Sequence, residues 1–325
     1  MILFVDYTMR FPAFTLPFYN SLKTVRMNAK LIGGSKFLFP IIFAKMVVYC
    51  LLYRKVTIIT SDLYFPARLK WIELLIFRLL KRIANVNIHH IVHNFKPHES
   101  SRDSEELIYN RYYGLCDQLI VLSDTARNKF IDKHNVLVLS HGIAFRDYGV
   151  SDVHKVSDEI RLLIFGQVRR YKGVLEFIRI IKEIDTVHLT IAGECKDVLL
   201  DKEISTLVSL SHNITYCNSY LESFELDNLL KATDVVVFPY VNITTSGAVY
   251  KALEYRKIIV TSDLPYFVEL RDKGLVNFCF SSSDIRSLNA FLNSLRSKTF
   301  KERRDLSHLS WMNIVKSYVD AGAVS

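Results

Sequence analysis

Residues 162 to 173 read LLIFGQVRRYKG, an apolar run that ends at Gly166 and gives way to a short basic loop closed by Gly173. Residues 234 to 248 read DVVVFPYVNITTSGA, a second apolar run that passes through Pro239 and Tyr240 into Thr244, Thr245, Ser246 and Gly247. Each run has the length and β-branched content of a buried strand, and each is followed by a helical pattern. Arg169 and Lys172 then project from the C-terminal edge of a sheet, where ligands of open α/β sheets bind. Arg offers a planar fork and Lys a point charge, a pair suited to a diphosphate. The Thr/Ser/Gly cluster opens a helix, whose first N–H groups favour an anion, and Gly247 lets a ligand approach the backbone. Alone, the loop is better read as a solvated basic turn, and the cluster as an ordinary N-cap. Two such features on sheet edges of one domain read as a phosphate site.

The elements that must position them alternate along the whole chain. Short apolar runs at 2–6, 56–60, 86–92, 118–122 and 136–139, then at 161–165, 187–192, 213–217, 234–238, 257–261 and 275–280, are separated by helical patterns. That alternation predicts parallel sheets wrapped by helices. A chain of 325 residues fits two such domains, here 1–150 and 151–325, with a polar linker from Arg146 to Asp158. Residues 284–319 read as helical, and their last part, with Trp311 and Tyr318, is placed to pack back on the first domain.

Half of the residues are apolar and 23% are charged, which excludes a disordered chain. The five cysteines are scattered and form no C-x-x-C pair, which argues against a zinc site or a disulfide framework and for a cytoplasmic setting. The opening MILFVDYTMRF reads as a buried strand and not as a leader. The net charge of +9 is uneven: residues 1–98 hold 14 Lys+Arg against 3 Asp+Glu, whereas residues 151–325 hold 22 of each. Such a field attracts an anionic lipid surface, a lipid-linked diphosphate or nucleic acid. Residues 37–53 are apolar but broken by Pro40 and Lys45, and are not expected to span a bilayer. Residues 67–83 mix Arg68, Lys70, Arg78, Lys81 and Arg82 with Trp71, Leu74, Leu75, Phe77 and Leu79. This is a helix expected to cover the sheet with its apolar side and to leave its basic side for an anionic membrane.

Taken in order, GQVRRYKG, IAGE at 191–194, DVVVFPY and TTSGA resemble the donor-binding domain of bacterial GT-B glycosyltransferases. In the first half, IVHNFKPHE at 91–99 and VLSHGI at 138–143 resemble segments of the exopolysaccharide and capsule enzymes of that superfamily. The resemblance implies two doubly wound, Rossmann-like domains facing each other across a cleft, the first for an acceptor and the second for a nucleotide-diphosphate sugar. It implies transfer of a sugar to a growing, lipid-linked glycan in surface polysaccharide synthesis, at the inner face of the cell membrane.

It also implies residue roles. Gly166, Arg169, Lys172, Gly193, Thr244, Thr245, Ser246 and Gly247 bind the donor, with the Ser246 and Gly247 amides on its diphosphate. Arg169 and Lys172 stabilise the leaving nucleotide without a metal, so that no cofactor is needed beyond the sugar nucleotide. His93 contacts the transferred sugar, Glu99 or His98 takes the acceptor proton if the enzyme inverts the anomeric centre and otherwise shapes the loop, and Arg10 and His98 meet the acceptor. One departure matters: retaining relatives carry two glutamates with seven residues between them, and Ile243 and Lys251 stand at those places. Sugar recognition must then differ, and retention or inversion is not fixed by that hallmark. Glu254 and Glu269 are read as solvated. A nucleotide-sugar epimerase of the same fold, a basic nucleic-acid-binding protein and, given the missing glutamates, a non-catalytic glycosyltransferase-like protein are the competing readings. The charge asymmetry disfavours the first, and the lack of a nucleic-acid motif disfavours the second.

Overall fold

Fourteen strands and twelve α-helices are seen in the computed structural model, which describes residues 1–6, 12–25, 27–33, 39–63, 69–93, 103–130, 132, 135–145, 153–281, 284–301 and 304–323. The first half runs β1 (Ile2–Val5), α1 (Pro12–Thr24), β2 (Ala29–Ile32), α2 (Phe39–Leu52), β3 (Val56–Thr60), α3 (Lys70–Ile83), β4 (Val86–Val92), α4 (Asp103–Tyr113), β5 (Gln118–Val121), α5 (Asp124–Arg127) and β6 (Val136–Val138). The second runs β7 (Val153–Lys155), β8 (Ile160–Phe165), α6 (Val174–Ile181), β9 (Val187–Ala192), α7 (Val198–Ser209), β10 (Ile214–Cys217), α8 (Ser223–Ala232), β11 (Val235–Phe238) and α9 (Gly247–Glu254). It continues through β12 (Ile258–Ser262), α10 (Pro265–Asp272), β13 (Phe278–Phe280), α11 (Ile285–Leu295), β14 (Thr299–Lys301) and α12 (Trp311–Tyr318).

Sequence periodicity set the domain boundary at residue 150. Compactness sets it after Ala144 and returns Leu306–Ser325 to the first unit, leaving Phe145–Asp305 as the second. The return has a physical cause. Trp311, Ile314, Val315 and Tyr318 are buried with Phe14, Phe18 and Leu22 of α1 on one face of the first sheet. Tyr318 Oη shares a 2.6 Å hydrogen bond with His89 on β4. Burial of side chains of this size stabilises by about 1.5–3 kcal/mol each.

Both sheets are parallel and six-stranded. The first has the order β2-β1-β3-β4-β5-β6, the second β10-β9-β8-β11-β12-β13. In each, the first strand lies inside the sheet and the chain reverses direction beside it, at β1/β3 and at β8/β11, the position where such sheets open a crevice. The second sheet is held by helices such as α6, whose Val174, Leu175, Phe177, Ile178 and Ile181 recur at helical spacing and are all buried.

Three expectations need correction. The stretch from Arg146 to Asp158 is not all linker, because β7 within it pairs antiparallel with β14. Residues 284–319 are not one helical run but α11, β14 and α12. Strand β2, with Lys30 in the middle of four residues, carries no strand signal in its sequence. All three misses involve segments of three or four residues, too short to show a period, whose identity comes from a partner distant in sequence. Among the described residues no helix is long and apolar enough to cross a membrane.

Candidate anion site at the reversal point of the second sheet

The loop after β8 and the loop after β11 flank the reversal point, and local chemistry binds them together. Gly166 ends β8 with its N–H donated to the Ala192 carbonyl at 3.0 Å, and the Val168 N–H is donated to Glu194 at 2.9 Å. A single turn, Arg170–Lys172, then leads to Gly173, which has φ of 63° and starts α6. A Cβ at Gly173 would lie 2.0 Å from the Pro239 carbonyl oxygen, so here the two loops touch backbone to backbone. The Val241 N–H is donated to the Tyr171 carbonyl at 2.9 Å, and the Tyr171 and Tyr240 rings meet edge to face.

A side chain at residue 173 would therefore force the loops apart. Gly173→Ala is expected to cost about 3 kcal/mol, from positive φ and from displaced backbone. Denaturant unfolding at equilibrium measures this; an alanine variant as stable as the parent would show that the loops are not in contact.

The three cations of the first loop meet different fates. Arg170 is exposed and neutralised by Asp197 and Glu203. Arg169 donates through Nε and Nη2 to the neutral Gln167 Oε1, at 3.1 and 2.8 Å. Lys172 is only 6% exposed, donates to the Phe165 carbonyl at 3.2 Å and lies 5.6 Å from the centre of the Tyr240 ring. Among the described residues neither Arg169 nor Lys172 forms an ion pair with a carboxylate. Burial, and then the neighbouring Arg169 cation, push the Lys172 ammonium down to about 8. Two like charges held together, one of them buried, favour an anion between them.

The helix start supplies the third side. Ser246 is buried and precedes α9, yet its side chain makes no capping hydrogen bond. It pairs instead with the Tyr240 hydroxyl, whose pKa burial raises. The ordinary N-cap reading therefore fails. One expected donor fails with it: the Ser246 N–H is already given to Tyr266 Oη at 3.2 Å, and Thr245 also bonds that phenol. Gly247 is exposed at the first helical position, where a helix amide has no partner within the helix. Thr244 is half-buried beside it.

The two strand-end glycines serve by being small. The Gly193 N–H is donated to Cys217 at 3.0 Å, and a Cβ there would lie 2.3 Å from the Gly166 carbonyl oxygen. Both amides are thus spent on the sheet, and the pair leaves room beside Lys172. Lys251, at one of the departure positions, bridges Asp227 and Glu254, while Glu269 pairs with Lys273.

In the first unit His93 follows the end of β4. Its ring packs edge to face on Phe14 at 5.0 Å, and Phe14 also meets His141 and Trp311. His141 donates from Nδ1 to the Gly142 carbonyl at 2.7 Å. The VLSHGI segment contained His141, but no role was read for it. Only the fold, which ends β4 and β6 at one sheet edge and lays α12 against them, gathers these rings. Arg10, His98 and Glu99 lie outside the described residues. Among the described residues no cluster of three His, Cys, Asp or Glu side chains is shaped to hold a metal.

The class of architecture follows. Two parallel six-stranded, doubly wound sheets, each with its reversal point, make the GT-B fold. The Anabaena HepE structure with UDP and glucose superimposes with a TM-score of 0.68, covering 100% of this chain and 99% of that one at 14% identity. Sucrose-phosphate synthase of Thermosynechococcus elongatus gives 0.69 over 100% and 99% at 15% identity. Residues 159–297, within the second unit, match the family model described as Glycosyl transferases group 1. A GDP-mannose:glycolipid 4-beta-D-mannosyltransferase of Xanthomonas campestris pv. campestris is 24% identical over 241 residues, 71% of this chain and 67% of that protein.

Proposed function

We propose that the chain transfers a sugar from a nucleotide-diphosphate donor to a lipid-linked or oligosaccharide acceptor in surface polysaccharide synthesis. The observation that carries this reading is the buried Lys172 beside Arg169, without a carboxylate partner, at the reversal point of the unit that matches the group 1 glycosyltransferase model. Arg169, Lys172 and the Gly247 amide hold the donor diphosphate, and no metal is required. As the bond from the sugar to the diphosphate breaks, the charge that gathers on the leaving phosphate meets groups already in place. The acceptor hydroxyl forms the new bond to the sugar and gives its proton to Glu99 or His98. His93, steadied by Phe14, contacts the transferred sugar. The Xanthomonas relative, which by its name acts on a glycolipid, supports the acceptor class.

A thermal-shift panel of nucleotide sugars tests the donor site, and GDP-mannose and UDP-glucose are its natural first members. A true donor at a hundred times its Kd adds about 2.7 kcal/mol of stability. No response to any nucleotide sugar would remove the reading. His93→Ala is expected to keep the donor shift and to lose about a hundredfold in turnover. Unchanged turnover would take His93 off the reacting centre.

A further inference from the structure

Helices α2 and α3 cover the same face of the first sheet, α2 through Met46 and Cys50 and α3 through Leu74, Phe77 and Leu80. A helix in that place normally turns a polar side outward. These two do not. On α2, Ile41, Val48, Leu51 and Leu52 are exposed, Leu52 at 72%. On α3, Trp71, Leu75, Leu79 and Ile83 form a stripe at fourfold spacing, with Trp71 at 53%. Single exposed apolar residues are ordinary, but two outward stripes on one face mark an interaction surface.

The charges on that face identify what it meets. Exposed Lys45 sits within the α2 stripe, Arg54 follows its end, and exposed Arg78 and Arg82 interleave with the α3 stripe. The α2 sequence holds no carboxylate, and Glu73 of α3 is fully buried. In a two-fold dimer through this face the same patch would meet itself, bringing cations against cations with no acid to pair them. An anionic lipid surface has the complementary properties.

We propose that the outer face of α2 and α3 docks on an anionic bilayer. Both helices lie in the plane of the interface, the apolar stripes enter the headgroup boundary, and Lys45, Arg54, Arg78 and Arg82 reach lipid phosphates. Trp71 sits at the depth that suits an indole ring. This surface would hold the chain where a lipid-linked acceptor resides. It rests on the first unit's surface and not on the donor site, so either can fail alone.

The test is flotation of the full chain with vesicles of phosphatidylcholine containing about one third phosphatidylglycerol, beside vesicles of phosphatidylcholine alone. Binding is expected on the anionic vesicles and should weaken as salt rises. Each cation at such a surface contributes about fivefold, so Arg78→Gln with Arg82→Gln should lower partition about 25-fold. Trp71→Ser with Leu75→Ser and Leu79→Ser should abolish it. Brominated lipid should quench Trp71 and spare Trp311, which is buried. Because these positions are exposed, the variants should melt like the parent, and their donor thermal shift reports the enzyme reading separately. Failure of the parent to float, parent-like flotation of the arginine variant, or a dimer dissolved by the serine variant would each overturn the proposal.

Discussion

Lys172→Met is expected to lower turnover about a thousandfold while making the protein without donor more stable. The first half follows from the proposed donor site, where removing one fixed cation at the leaving group costs about 10²–10³. The second half separates function from structure. The ammonium is buried, and its pKa falls from the ordinary 10.5 to about 8. Below pH 8 the folded protein therefore carries a charge that the unfolded chain solvates better. The sign is that of a depressed lysine: the penalty is full below about 8 and fades as pH rises towards 10.5. Methionine keeps the length and apolar stem and removes the charge, so stability near neutral pH should rise by up to about 3 kcal/mol. A lysine kept for structure would give the opposite result. Equilibrium unfolding with and without donor, together with kcat and KM, decides the matter: a less stable methionine variant with normal turnover would end the role assigned to Lys172. Arg169→Ala should add less than its own single effect, since both cations act on one anion.

The other large effect is the acid sensitivity of the first unit. His89, His90 and His141 are all held at about 4, against an ordinary 6.5, with burial as the main cause of each shift. His90 Nδ1 shares one hydrogen bond with the Thr60 hydroxyl, which also meets the Tyr112 hydroxyl. His89 ties β4 to Tyr318 of α12. Their neutral forms are built into the core. Between pH 6.5 and 4 the unfolded chain binds up to three protons that the folded unit refuses. Stability therefore falls with pH, at up to about 4 kcal/mol per unit for three sites. That slope consumes an ordinary margin of about 5–15 kcal/mol within a few units. Unfolding followed from pH 7 to 4 should show the first unit lost at mildly acid pH. His89→Asn should reduce the slope by about 1.4 kcal/mol per pH unit, whatever it does to the baseline. An unchanged slope would mean that His89 is already charged in the folded protein.

Much of the architecture was legible because it is written locally. Runs rich in Val and Ile such as 235–238 and 258–261 bury on both faces, and the helices between them repeat apolar residues at helical spacing, so the alternation needs no knowledge of distant partners. The loop cations were visible for the same reason, since a basic turn between a strand and Gly173 can be read from a dozen residues.

What each cation does was not legible. Arg169, Arg170 and Lys172 look alike in sequence, yet α7 supplies Asp197 and Glu203 to Arg170 and nothing comparable to the other two. Ser246 has the residue type of a cap, but the buried Tyr240 draws its side chain away and Tyr266 takes its amide. Residues 67–83 suggested one apolar and one basic side; the sheet consumed Leu74, Phe77 and Leu80, leaving a second apolar stripe outside. His141 meets Phe14 from the start of the chain and Trp311 from its far end, neither of them near it in sequence.

The sequence by itself determined the alternating elements, the strand ends and the residue types placed at them, because propensity and periodicity act over a few residues. The tertiary structure alone decided which charges are compensated, which amides are spent and which apolar faces stay outside. Those outcomes depend on groups that meet through the order of the strands and not along the chain.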